Sequence, residues 1–226
     1  MHAAATDTQP APQVRPRLRG LYAVTPDLAD TDALVARVRA AIDGGAAAVQ
    51  YRNKTADPAL RAIQAQALAA ACRGRALFIV NDDAALAARV GADGVHVGEH
   101  DGGIAGARAI VGARLIVGVS CYDDLALARA AVAAGADYIA FGSFFGSRVK
   151  PDARRAHVSL LRDARAFGVP VVAIGGITAA NAGTLVAAGA DMLAVISGVF
   201  AADAAADVTR AARALARLFA PPGTDA

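Results

Sequence analysis

The sequence predicts an α/β protein folded as a single (β/α)8 TIM barrel, and two patterns predict it. Eight short, nearly continuous apolar segments alternate with helical runs along the chain. Gly-Ala recurs where a helical run gives way to such a segment, at Gly45-Ala46, Gly91-Ala92-Asp93, Gly135-Ala136-Asp137 and Gly189-Ala190-Asp191. Glycine suits a helix C-terminus because it enters the left-handed region without a Cβ clash, so each instance reads as a helix-to-strand junction. The count of eight favours closure over an open doubly wound sheet. The absence of a GxGxxG turn after the first segment points the same way.

Taken in order, the expected strands are Leu21–Thr25, Ala47–Arg52, Ala76–Asn81, Gly94–Gly98, Leu115–Ser120, Tyr138–Gly142, Val171–Gly175 and Met192–Ser197. They are rich in Val and Ile, as strands buried on both faces should be. The first helix is expected over Thr31–Asp43, where Leu34, Val35, Val38, Ala41 and Ile42 share a face and Gly44-Gly45 ends the run. The second has Asp57 as N-cap, Pro58 at its first position and Gly74 after its last turn. Further runs start from Asp123, Ser159, Thr178 and Ala204, and Asp83 is placed to cap a helix beginning Ala84-Ala85-Leu86.

Composition narrows the function classes. The chain has 226 residues, 56% hydrophobic and 19% charged, with 22 glycines, enough for one large core and many tight connections. Residues 1–18, rich in Ala and Pro, are expected to form a disordered tail, with 19–221 as one barrel domain. The tail lacks the apolar stretch of a secretory signal, and no run of about 18 uncharged apolar residues exists to span a bilayer. A net charge of +3 with scattered arginines gives no footprint for nucleic acid. Cys72 and Cys121 stand outside any CxxC pair, which fits a reducing cytoplasm and no thiolate metal site. Nothing in the sequence sets an oligomeric state.

Active sites of such barrels lie at the C-terminal ends of the strands, and those ends are polar here. Gln50, Arg52 and Lys54 alternate with Tyr51 and Asn53, so an extended chain points all three one way, an arrangement suited to a polyanion. Asp82 and Asp101 follow neighbouring strands, with Asn81 beside the first, and offer oxygen ligands to Mg²⁺. Gly175-Gly176 and Ser197-Gly198 follow the seventh and eighth strands, the usual phosphate site of the fold. His96 is read as a hydrogen-bonded structural residue, since no ligand set completes a zinc site around it and His100. Cys121 beside Ser120 is read as packing, because no base pairs with it.

From Leu21 to about Phe219 the chain resembles the thiamine-phosphate synthase family. The matching stretches are LYAVTPD at 21–27, GGAAAVQYRNK at 44–54, FIVNDD at 78–83, ADGVHVGEHD at 92–101, GVSCYD at 118–123, GADYIAFG at 135–142 and VVAIGGIT at 171–178. The resemblance implies an enzyme that joins a hydroxymethylpyrimidine pyrophosphate to a thiazole phosphate, with release of pyrophosphate and help from Mg²⁺. Carried over by position, Gln50 resembles the residue that orients the pyrimidine. Arg52, Lys54, Asn81, Ser120 and Lys150 resemble the pyrophosphate binders, among which Arg52, Lys54, Ser120 and Lys150 would carry the catalytic roles. Asp82 and Asp101 resemble the Mg²⁺ ligands, and Gly176, Ile196 and Ser197 resemble contacts to the thiazole phosphate.

One segment departs from the family pattern. Where a Pro-Thr-x-Thr-Lys run is usual, this chain reads Gly146-Ser147-Arg148-Val149-Lys150. Ser147 keeps the first hydroxyl and Lys150 the charge, whereas Val149 supplies no hydroxyl for the thiazole phosphate and Arg148 is the candidate to substitute for it. A related barrel, the thiazole tautomerase, shares the fold without needing a pyrophosphate clamp or metal pair. A non-catalytic barrel that binds thiazole or thiamine phosphate is the alternative from another class. Arg52, Lys54, Asn81, Asp82 and Asp101 together favour the synthase. The loops at Asn53–Asp57 and Gly146–Arg155 are the candidates for a lid, and the second, with its glycine, cations and Pro151, is expected to order around bound phosphate.

Overall fold

The computed structural model describes residues 18–98, 103–146 and 155–220. Its strands are β1 Gly20–Val24, β2 Ala46–Tyr51, β3 Leu77–Asn81, β4 Gly94–Val97, β5 Ile116–Tyr122, β6 Tyr138–Phe141, β7 Val171–Ile174 and β8 Met192–Val195. Each pairs in parallel with the next and β8 returns to β1, so the sheet is a closed barrel of eight strands in chain order. The helices are α1 Thr31–Asp43, α2 Pro58–Cys72, α3 Ala84–Val90, α4 Gly103–Val111, α5 Leu125–Ala133, α6 Ser159–Ala164, α7 Ala182–Ala187, α8 Ser197–Phe200 and α9 Ala205–Ala216. The expected tail falls outside the described residues except for Leu18, which is buried with Tyr22 and Met192 in the barrel's inner cluster.

Alternation along the strands divides the core into two shells. Tyr22, Ala48, Ile79, Tyr138, Val172 and Met192 belong to the inner cluster. Leu21, Val49, Val80, Val95, Ile139 and Leu193 belong to the outer one, with Leu34, Val38, Leu68 and Leu86 from the helices. The helical ring closes where α9 meets α1. Thr209 Oγ1 donates to the Ala40 carbonyl at 3.0 Å, and a Cβ on Gly44 would stand 2.6 Å from that of Ala212.

Local signals place most boundaries within a residue or two of expectation. Asp57 and Asp83 accept the Leu60 and Leu86 amides at 2.8 Å, and Pro58 opens α2. Two helices start later than their sequence signals. Asp124 rather than Asp123 caps α5, accepting from Ala126 and Leu127. The run from Thr178 first makes a turn, in which Asn181 accepts the Thr178 amide and donates to the Gly176 carbonyl, and α7 begins at Ala182. Strand β5 extends past Ser120 to Tyr122 because its register against β6 shifts between those residues. Such an irregularity at a barrel rim re-aims side chains near a site.

The Gly-Ala-Asp repeat has a structural cause. Gly45, Gly91, Gly135 and Gly189 all carry positive φ, as the junctions require. The aspartate after three of them then clasps the preceding strand. Asp93, Asp137 and Asp191 donate their amides to the carbonyls of Phe78, Val117 and Val171 at 2.8–2.9 Å. Their carboxylates accept the amides of those same residues at 2.7, 2.8 and 2.9 Å. Strand pairs β3–β4, β5–β6 and β7–β8 are thus pinned at the end opposite the strand C-termini. Ala47 stands at the corresponding place in β2 and offers no carboxylate.

Asp137 has the most elaborate surroundings of the three. Arg108 contacts its carboxylate at 2.6 Å while also donating to the Gly112, Leu115 and Gly135 carbonyls. Asp137→Ala leaves the Val117 amide and the Arg108 guanidinium without that acceptor and should cost about 2–3 kcal/mol. Asp137→Asn keeps an acceptor for Val117 and should lose less. Denaturant unfolding of the three proteins measures both, and equal losses would show that the charge contributes all of it.

Candidate active site

The rim at the strand C-termini is built first at β1 and β2. Thr25, fully buried, receives the Arg52 amide on Oγ1 and donates its own proton to the Arg52 carbonyl, both at 2.9 Å. Asp27 takes the Lys54 amide at 2.8 Å and faces the Arg52 guanidinium at 3.3 Å. Outside the barrel, Tyr51 donates to Gln64 of α2 at 2.9 Å, and Asn53 donates to the same oxygen at 3.0 Å. That outward anchoring agrees with the alternation that sends Gln50 and Arg52 inward. Gln50 is buried, Arg52 half-buried and Lys54 exposed.

Asn81 ends β3, and Asp82 follows it with φ of 63°. Aspartate tolerates the left-handed region better than most residues, and such a conformation persists only where its surroundings hold it. Here the Asp82 amide donates to the His96 carbonyl of β4 at 2.7 Å, which fixes the turn against the next strand. Asn81 and Asp82 offer amide and carboxylate oxygens, a donor set that fits a hard divalent cation such as Mg²⁺. Among the described residues no group of three acidic, His or Cys side chains stands together. Asp101, the other expected ligand, lies outside the described residues, as do Ser147 and Lys150.

Inside the barrel an unbroken polar chain joins Gln50 to Ser120. Gln50 Nε2 donates to the Tyr22 hydroxyl at 2.8 Å, and the Tyr22 and Tyr138 hydroxyls lie 2.9 Å apart. Tyr138 meets His96 Nδ1 at 2.9 Å, and His96 Nε2 meets Ser120 Oγ at 2.9 Å. Burial holds both tyrosine hydroxyls well above their ordinary pKa, so both stay protonated. The expectation that His96 is hydrogen-bonded is met, and its partners reach two expected site residues.

At β7 and β8 the glycines serve the neighbouring loop. A Cβ on Gly176 would stand 2.4 Å from the Gly146 carbonyl oxygen, and Phe144 and Phe145 donate their amides to the Ile174 and Gly175 carbonyls. The segment after β6 is therefore laid directly on the one after β7. Ile196 is half-buried beside the inner cluster, and Ser197 opens the single turn of α8. The structure thus gathers Gln50, Arg52, Asn81, Asp82, Ser120, Gly176, Ile196 and Ser197 at one end of the barrel.

Sequence reasoning missed three contributors. Asp27 is signalled only by a Thr-Pro-Asp turn after the first strand. Tyr22 and Tyr138 look like ordinary core aromatics, and only the closed barrel brings them together across 116 residues of chain.

The family model for thiamine monophosphate synthase matches residues 21–199. A thiamine-phosphate synthase of Chromobacterium violaceum is 57% identical over 205 residues, covering 90% of this chain and 98% of the relative. Another, from Thiobacillus denitrificans, is 57% identical over 203 residues, 89% of this chain and 95% of the relative. Among solved structures, a thiamine phosphate pyrophosphorylase from Pyrococcus furiosus superposes with a TM-score of 0.79 at 36% identity, covering 90% of this chain and 96% of that one.

The cysteines take no part in the site. Burial pushes the Cys121 thiol up to about 12, and the Cys72 thiol likewise to about 12. At pH 8 both should therefore resist a disulfide reagent in the folded protein and react at once after denaturation. Rapid labelling of the native protein at Cys121 would overturn its reading as a packing residue.

Proposed function

Because the chain belongs to the thiamine monophosphate synthase family, we propose that it joins hydroxymethylpyrimidine pyrophosphate to hydroxyethylthiazole phosphate, forming thiamine phosphate and pyrophosphate. It is a transferase, and the relatives described above carry the synthase's name, not the tautomerase's. The observation that supports the site assignment best is the convergence of Gln50, Arg52, Asn81, Asp82 and Ser120 from β2, β3 and β5 on one rim.

In this reading the substrate's methylene carbon–oxygen bond breaks with its electron pair leaving on pyrophosphate, and the thiazole nitrogen then bonds that carbon. The protein has to hold the pyrimidine still and neutralise the departing charge. Gln50, fixed at one end of its amide by Tyr22, presents the other end to the ring. Arg52 is aimed by Asp27, and with Lys54, Asn81 and Ser120 it faces the pyrophosphate. Lys150 adds a further cation to that set. Asp82, Asp101 and Asn81 would hold Mg²⁺, which when bound supplies Lewis-acid neutralisation of the leaving group. Gly176, Ile196, Ser197 and Ser147 receive the thiazole phosphate. No enzyme nucleophile is needed, in keeping with the buried, protonated cysteines.

The partners are small molecules, and no helix among the described residues is long and apolar enough to cross a membrane. Two free buried cysteines support a place in the reducing cytoplasm.

Mixing the protein with both substrates and Mg²⁺ should yield thiamine phosphate and pyrophosphate in equal amounts, with turnover lost on adding chelator. Asp82→Asn keeps a residue tolerant of positive φ while removing the carboxylate charge. It should lower metal-dependent turnover by about 100-fold or more with little change in unfolding. A folded wild-type protein that makes no product would overturn the assignment.

A further inference from the structure

The polar chain through the barrel has a direction, and its direction follows from counting hydrogens. Tyr22 and Tyr138 are 2% and 1% exposed and each owns one hydroxyl proton. Gln50 Nε2 donates to the Tyr22 oxygen, so the Tyr22 proton is the one that bridges to Tyr138. The Tyr138 proton then goes to His96 Nδ1, which must be the bare nitrogen, and Nε2 carries the imidazole proton to Ser120 Oγ. Ser120's own hydrogen is left to be given to whatever occupies the rim. Were the Gln50 amide turned over, every donor would reverse and Ser120 would spend its hydrogen on His96.

From this array, and resting on the reading above, we infer that Tyr22, Tyr138 and His96 are positioning residues. They lock His96 as the neutral Nε2–H tautomer and hold Ser120 as a hydrogen-bond donor toward the departing pyrophosphate. The placement of the array is specific. A Cβ on Gly118 would lie 1.9 Å from Tyr138 Cζ, so the ring crosses a space that only glycine leaves open. His96 stacks on that ring at 5.6 Å with planes 19° apart, which keeps the imidazole from rotating out of line.

The test uses full-length protein and two readouts. Nitrogen-15 NMR of histidine-labelled protein, with the His96 signals assigned by their loss in His96→Gln, should show the Nε2–H tautomer. Tyr138→Phe keeps ring and stack but removes the proton held by Nδ1, and should shift His96 toward a mixture of tautomers. This readout requires no turnover and so stands apart from the assay of the overall reaction. In that assay Tyr138→Phe should lower kcat by about 10- to 100-fold, short of the roughly 100- to 1000-fold that outright loss of a preorganised hydrogen-bond donor costs. KM for the pyrimidine pyrophosphate should change less than about twofold, as expected when an interaction made in the transition state is weakened rather than ground-state binding. Because Tyr138 acts through Ser120, the double variant with Ser120→Ala should be no slower than Ser120→Ala alone. A His96 proton on Nδ1, an unchanged kcat in Tyr138→Phe, or losses that simply multiply in the double variant would each overturn the inference. Absence of turnover in wild type alongside the Nε2–H tautomer would overturn the reaction while leaving the array intact.

Discussion

Closing eight parallel strands into a barrel sends every second side chain into an interior that must be filled, and the whole molecule answers to that constraint. Toward the strand N-termini the filling is apolar: Leu18, Ile116 and Met192 occupy it. Toward the C-termini the same inward positions become Gln50, Asn81, His96 and Ser120. Tyr22 and Tyr138 bridge the halves, with apolar rings below and hydroxyls in the polar chain. An unpaired polar atom here would be costly, and among the described residues no buried side-chain nitrogen or oxygen lacks a partner.

The two ends of the barrel are held by different chemistry. At the strand N-termini, carboxylates of Asp93, Asp137 and Asp191 bind amides of the preceding strands. At the C-termini, Thr25 and Asp27 fix Arg52 and Lys54 through their main chain, and Asp82 is fixed through the His96 carbonyl. Groups that bear on stability and groups that bear on chemistry are therefore a strand's length apart.

How much of this was legible depended on how far apart in sequence the cause lay. The strands were legible because continuous apolar runs and Gly-Ala-Asp junctions are local signals. Gln50 and Arg52 could be oriented because alternation is a property of one strand. The bulge after Ser120 was not visible, since it is set by the register against β6. Nor was the service of Gly176 to the loop after β6, which arises from backbone 30 residues away: a Cβ at position 176 would stand 2.4 Å from the Gly146 carbonyl oxygen. That His96 is hydrogen-bonded was legible, yet its partners, Tyr138 and Ser120, are fixed by closure and not by spacing.

The dependence of Tyr138 on Gly118 carries the argument one step further. In a packed barrel, a small residue on one strand is the condition for a large one on its neighbour. Gly118 and Tyr138 are register partners on β5 and β6, so the glycine is the space into which the tyrosine ring is laid. The hydroxyl at the end of that ring then reaches both Tyr22 and His96 from a position no loop could hold as firmly. A side chain at position 118 would therefore act on Ser120 twice over, through the strand they share and through the array that Tyr138 completes.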